Sequence, residues 1–230
     1  MPQIQDIAHE LAEILKKSPA DYIEAHLEEN ESSHIVYRGK ELDATGRTNG
    51  AGGNIRAYVK GGWGFVSFNS FDNITDRVAL AIKQAKLAQR GKSELTPVEP
   101  VVDIVPAATQ ANPVAVPLAE KKKTLDEYQE IIWRTPELKT SNIGYGDSHR
   151  KLVFVNSSGS YIEQERADIT LRLAAVAAAR GEVQQVGLSF GTTGDFAPVR
   201  HLHDQVAQMA QHAAAMLSAP QAKGGAYTVV

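Results

Sequence analysis

Gly52-Gly-Asn-Ile-Arg-Ala-Tyr-Val-Lys-Gly-Gly-Trp-Gly-Phe-Val-Ser-Phe68 decides the fold class. Residues 54–60 and 63–68 are two short β-prone runs on either side of Gly61-Gly62, a two-residue turn signal for a tight hairpin. A hairpin needs further strands to be stable, and the preceding chain supplies candidates. In residues 21–29, Tyr22, Glu24, His26 and Glu28 alternate with Ile23, Ala25 and Leu27, the period of a half-buried strand. Residues 33–37 and 41–47 are shorter candidates, and together these segments form an antiparallel meander.

Working outward, Ile4, Ile7, Ala8, Leu11, Ile14 and Leu15 recur at helical spacing, and Ser18-Pro19 closes that helix. On the other side, Ile74, Val78, Ala81, Ile82, Ala85 and Ala88 mark a helix ending at Gly91. Residues 92–117 shift to Pro, Val, Ala and Thr, with prolines at 97, 100, 106, 113 and 117, the composition of an extended connector. A further helix covers residues 118–134 until Thr135-Pro136 stops it. Residues 151–155 and 160–165 bracket Asn156-Ser-Ser-Gly159, a second hairpin signal. Residues 168–179 fit strand or helix on pattern alone; strand is chosen because Arg180-Gly181-Glu182 is a turn and residues 183–190 alternate again. Val199, Leu202, Val206, Met209, Ala213 and Met216 form the last long helix, closed by Ala219-Pro220. The order predicts an α+β fold of antiparallel sheets backed by helices, in two similar α/β subdomains, 1–91 and 118–220, joined by the Pro-rich connector 92–117. Tyr227-Thr-Val-Val230 reads as the start of a β-strand.

Bulk properties narrow the function classes. The 230 residues suffice for a sizeable core, and 43% hydrophobic with 22% charged residues is ordinary for a globular protein. A net charge of −3 offers no basic field for a row of phosphates, which argues against direct nucleic-acid binding. The absence of cysteine removes disulfides, thiol nucleophiles and cysteine-ligated zinc. The first fifteen residues carry Asp6, Glu10 and Glu13 rather than a basic, then apolar, leader, and the longest apolar stretch, residues 173–179, is too short to span a bilayer. A cytoplasmic, non-membrane protein is the expectation.

The residues offer little recognisable chemistry. His9-Glu10 lies on a helix, but position 13 is Glu and position 14 is Ile, so no second histidine follows one turn later and the pair reads as helix surface. His201 and His203 are two residues apart, which on one helix points them roughly 160° apart, and His212 lies about 16 Å along the axis from His201. Gly50-Ala-Gly-Gly53 and Gly61-Gly62-Trp63-Gly64 lack dinucleotide-loop spacing and read as turns between strands. Gly91-Lys92-Ser93 copies the end of a phosphate loop, but Lys86 stands where the first glycine is required. Ser157-Ser158-Gly159 forms no nucleophile elbow. The sequons at Asn73 and Asn156 mean little without a signal peptide. Glu28-Glu29 and Glu163 with Glu165 read as exposed strand carboxylates rather than an acid/base dyad. No catalytic, cofactor-binding or metal-ligating residue is assigned.

Several segments, taken together, resemble the amino-terminal region of the TldD/PmbA family of metallopeptidases, historically called modulators of DNA gyrase. They are residues 52–68 with the alanine-rich helix after them, Phe154-Val-Asn-Ser-Ser-Gly159 with residues 163–172, residues 185–194 before Asp195-Phe196, and residues 217–230. The resemblance spans nearly the whole chain. It implies a non-catalytic amino-terminal domain of a TldD-like zinc peptidase, with residues 221–230 starting a carboxy-terminal catalytic domain and the family's His-Glu-x-x-x-His zinc motif expected only there, so that no zinc site falls on these residues. It further implies a homodimer, or a heterodimer with a family paralogue, enclosing a chamber where unfolded peptides are cleaved. The alternative of the same fold is a stand-alone interaction or regulatory module without proteolytic activity. An unrelated nucleotide or phosphate enzyme, suggested by the glycine clusters, is the third reading.

Overall fold

The computed structural model describes residues 3–91, 94–109, 111–220, 223–226 and 228. The strand start expected at Tyr227-Thr-Val-Val230 falls, apart from Thr228, outside the described residues, as do Lys92 and Ser93. The chain runs α1 (Ile4–Lys16), β1 (Tyr22–Arg38), β2 (Glu41–Val59), β3 (Gly62–Phe68), α2 (Ile74–Leu87), β4 (Val102–Val105), α3 (Leu118–Trp133), β5 (Leu138–Asn156), β6 (Tyr161–Ala179), β7 (Glu182–Thr192) and α4 (His203–Met216). Short 3-10 turns at Pro113–Ala115 and Ala197–His201 lead into α3 and α4. The class is α+β, as expected.

The strands of both halves join in one seven-stranded sheet, ordered β3-β2-β1-β5-β6-β4, with β7 also paired to β6. The seam is β1 against β5, antiparallel from Glu24↔Asn156 to Arg38↔Asn142. All other pairings are antiparallel too, except that Val102–Val105, inside the expected connector, adds parallel to β6. The strands are much longer than their alternation suggests, because two apolar segments on each are joined by a polar middle. In β1 the apolar residues are Ile23, Ala25 and Leu27 at one end and Ile35 and Tyr37 at the other, with Glu28-Glu29-Asn30-Glu31 between. Strand geometry continues through that middle because backbone pairing continues on both sides.

Each end of the sheet carries its own core, and both cores lie on the same face. One packs α1 and α2 (Leu11, Leu15, Val78, Ile82) on Ile23, Leu27, Ile55 and Val153. The other packs α3 and α4 (Leu125, Ile132, Val206, Met209) on Ile35, Ile143, Leu171 and Leu173. Burying one such aliphatic side chain contributes about 1.5–3 kcal/mol. Tyr128 ties the second core together: its hydroxyl donates to the Val199 carbonyl and accepts from the Leu202 amide at 3.2 Å.

The hairpin between β2 and β3 turns one residue earlier than the sequence suggests. Lys60 and Gly61 both have positive φ, 44° and 81°, as a tight two-residue turn requires, and Gly62 is already in β3. Gly62 and Gly64 serve packing instead: a Cβ on either would collide with α2 carbonyls, of Ala85 and Ala81. The expectation that Gly50-Ala-Gly-Gly53 is a turn is corrected, since these residues lie inside β2, paired to Asn30, Glu29, Glu28 and Leu27. Glycine run and turn look alike in sequence, but here the ladder never breaks. Further along, α2 ends at Leu87 rather than Gly91, and the last helix starts at His203 after a 3-10 turn that holds His201.

Candidate functional site

Period-two alternation gives the sheet two unlike faces. Odd-numbered residues of β1 face the helices; the even-numbered set faces away, and among the described residues no helix covers it. Following the register outward, this helix-free face carries Trp63 and Phe65 of β3, Arg56 and Tyr58 of β2, and Tyr22, Glu24, His26 and Glu28 of β1. Trp63 is 43% and Phe65 54% exposed. Toward the middle the face becomes small and flat: Ala44, Gly46, Thr48, Gly50 and Gly52 succeed one another on β2.

Near the aromatic end, Glu24 anchors a hydrogen-bonded network although its side chain is only 6% exposed. Arg56 reaches Oε1 with Nε at 2.6 Å and Nη2 at 2.5 Å, and the Tyr22 hydroxyl donates to Oε2 at 2.6 Å. Burial alone would raise the carboxyl's pKa. Hydrogen bonds and charge from His26, Tyr22 and Arg56 outweigh it and hold the group at about 2. Burial, with the adjacent Glu24, pushes the Tyr22 hydroxyl up to about 12. Arg56 also lies 5.1 Å from the Trp63 ring centroid, fixing the indole against the sheet. This network is fully paired and reads as scaffold.

The adjoining ground is not paired. β3 covers β2 only as far as Gly53↔Phe68; among the described residues, no strand covers the outer edge of residues 41–52. Where β3 departs, its Phe68 carbonyl crosses so close to Gly52 that no side chain fits there. A depression of about 360 Å³ opens at this step, lined by His26, Glu28, Asn30, residues 50–54 and Leu152. Among the described residues, Glu28, Asn30 and Asn54 make no side-chain hydrogen bond or ion pair, whereas His26 leans on Phe154 with ring centroids 4.8 Å apart. A free strand edge beside unpaired polar side chains can recognise a backbone.

On the helix-bearing face the gap between the two cores holds a buried ionic cluster. Lys121 Nζ of α3 meets Asp147 Oδ2 of β5 at 2.5 Å, both side chains fully buried. Ser33 donates to Asp147 from its amide at 3.1 Å and its hydroxyl at 2.6 Å, and Tyr145 donates at 2.5 Å. Burial lowers the Lys121 pKa against the opposing pull of Asp147; burial and Asp147 together raise that of Tyr145. Every lone pair of Asp147 is engaged, so the cluster locks α3 to the sheet. Nothing in the sequence flagged it: Lys121 sits in a Lys-Lys-Lys run that looks like solvated helix surface.

The histidines stand apart. His9 stacks on Tyr161 with centroids 4.6 Å apart and planes 6° apart. His203 pairs with Glu127 at 2.9 Å and His149 with Glu165 at 3.6 Å. His212 lies on α4 nine residues beyond His203 and is exposed. Glu28 and Glu29 point to opposite faces, Glu163 accepts from Tyr161 at 2.7 Å, and Glu165 pairs with Lys151 at 3.1 Å. Among the described residues, no three His, Asp or Glu side chains converge to hold a metal ion, so the residues present do not fit a zinc centre. No helix among them is long and apolar enough to cross a membrane.

Comparison with known proteins agrees with this architecture. Residues 24–88 match the family model for PmbA/TldA metallopeptidase domain 1, and residues 111–217 that for the PmbA/TldA metallopeptidase central domain. A metalloprotease of Synechocystis sp. is 30% identical over 216 residues, 93% of this chain and 47% of that protein. A metalloprotease of Methanocaldococcus jannaschii is 27% identical, over 71% of this chain and 37% of that protein. The chain thus spans about half, or less, of the length of these relatives. Among solved structures, a proposed modulator of a DNA gyrase from Thermotoga maritima superposes with a TM-score of 0.71 at 13% identity, covering 91% of this chain and 48% of that one. TldE from Thermococcus kodakarensis does so with a TM-score of 0.67 at 15% identity, covering 90% and 47%. These two likenesses concern the fold alone. The two consecutive domain matches together take in most of the chain, which belongs to the PmbA/TldD family of metallopeptidases.

Proposed function

We propose that this chain is the amino-terminal, non-catalytic part of a TldD-like zinc metallopeptidase that cleaves unfolded peptides in the cytoplasm. In this reading its sheet forms a wall of the chamber where substrate is held. The zinc ligands are supplied from the half of the relatives' length that these residues do not cover. Chamber closure is by a second subunit, a copy of the same protein or a family paralogue.

The observation that carries the reading is the open edge of β2 beside the helix-free face. An edge of about twelve residues at ~3.4 Å each offers backbone donors and acceptors over ~40 Å. Backbone pairing recognises extended chain irrespective of side chains, which suits unfolded peptides as a class. The small residues of β2 along that edge leave room for whatever side chains the peptide brings.

The test measures zinc content, binding of reduced unfolded polypeptide, and its cleavage, all on the 230-residue chain. Binding without cleavage, at zinc far below one ion per chain, is the expected result. One tightly held zinc per chain together with peptide hydrolysis would place the catalytic centre within these residues and overturn the reading.

A further inference from the structure

We propose that the depression at the end of β3 captures the free amino terminus of an extended peptide, whose backbone then pairs antiparallel with residues 41–52 of β2. The inference rests on the peptide-binding reading above and adds to it a direction and a terminus.

Direction follows from topology. β3 runs antiparallel to β2, from Gly62↔Val59 to Phe68↔Gly53. A peptide taking up the same line just past the Phe68 crossing has its first residue beside Gly50 and runs toward Glu41. Its amino end therefore falls at the depression lined by His26, Glu28, Asn30 and Asn54.

Charge follows from Glu28. This carboxylate has no partner among the described residues, and it stands opposite Gly52. Strands lie ~4.8 Å apart, so an added strand would run roughly 10 Å from β1. The Phe68 carbonyl borders Gly52, but Gly50 beside it carries no side chain and has nothing within 4 Å of its would-be Cβ; across that gap an extended Glu28 closes most of the distance to the added strand. An ammonium there gains a charge-assisted hydrogen bond, and the amide oxygens of Asn30 and Asn54 accept its remaining protons. A peptide bound parallel to β2 would instead bring its carboxylate beside Glu28, and like charges disfavour that direction.

The test uses the 230-residue chain and an unstructured peptide of about ten residues, enough to cover the edge at ~3.4 Å per residue. The peptide carries a fluorophore on a side chain near its carboxyl end and is made with free termini, amino-acetylated, or carboxy-amidated. Anisotropy titrations should show acetylation weakening binding about tenfold, the scale of one charge-assisted hydrogen bond, while amidation leaves it unchanged. Glu28→Gln should bring the free-amine peptide to the affinity of the acetylated one. Gly50→Val should weaken both, because its side chain would occupy the depression; no atom stands within 4 Å of the new Cβ, so the fold is retained and thermal unfolding should confirm it. Equal binding of free and acetylated peptide would overturn amino-terminal capture while leaving the peptide-holding wall intact. Failure of every peptide to bind would overturn both. A dimer seen in sedimentation velocity that Gly50→Val dissociates would assign the edge to a second copy and overturn the proposal.

Discussion

Glu24 shows how a single residue couples this sheet to pH. Its carboxyl sits at about 2 in the folded chain against an ordinary 4.5, because Arg56, Tyr22 and His26 favour the charged form more than burial disfavours it. A carboxyl lowered in this way binds fewer protons folded than unfolded. Its stabilisation is complete above about pH 4.5 and is lost as pH falls toward about 2. Urea unfolding followed from pH 7 to 2 should show stability declining through that window, and Glu24→Gln should flatten the decline while lowering stability at neutral pH. An unchanged profile in the variant would show that other carboxylates govern acid unfolding. Sequence could place Glu24 on a strand face with Tyr22 and His26, since alternation is a local property. It could not pair Glu24 with Arg56, thirty-two positions away, because that contact exists only once the β1–β2 register is set.

At the scale of elements, α3 illustrates where periodicity succeeds and where it misleads. Leu125, Tyr128 and Ile132 mark its buried stripe correctly, and the residues one turn earlier on the same stripe are Lys121 and Thr124. The helix is therefore docked at one end by apolar packing and at the other by the Lys121–Asp147 pair, which fills the gap between the two cores. Desolvation makes such a pair a weak net contributor when intact, yet removing one partner strands a buried charge. Lys121→Met should cost about 3 kcal/mol or more in urea unfolding. Adding Asp147→Asn should restore a good part of this, since the amide oxygen still accepts from Ser33 and its NH2 can donate to the Tyr145 hydroxyl, with no charge to bury. A double variant no more stable than the single one would show that the charge itself was not the source of the loss. The long strands were legible only in pieces for a related reason. Residues 28–31 and 147–151 lie between the cores, where neither face is apolar, so the alternation that betrays a strand vanishes while its pairing persists.

For the whole molecule, two cores on one face of one sheet raise the question of whether they melt together. The order of elements, helix–strands–helix twice over, was readable from the sequence. That both sets of strands would merge was not, because long-range pairing of β1 with β5 leaves no trace in local pattern. That merger has a mechanical consequence. β1 and β5 each run through both ends, their apolar residues serving one core at one end and the other core at the other. Unfolding either core would leave half of each strand without its helices and expose apolar surface along a ladder still paired at the far end. The shared ladder therefore couples the cores, and a single cooperative transition is expected. The two tryptophans make this measurable: Trp63 packs on Tyr58 beside the first core, and Trp133 packs against the second. In Trp63→Phe and Trp133→Phe, the remaining indole reports one end alone. Each variant's fluorescence midpoint in urea should coincide with that variant's own far-ultraviolet circular dichroism midpoint. Fluorescence that departs from circular dichroism in opposite directions in the two variants would mean that the ends unfold separately, and that the polar middle of the sheet insulates the cores rather than joining them.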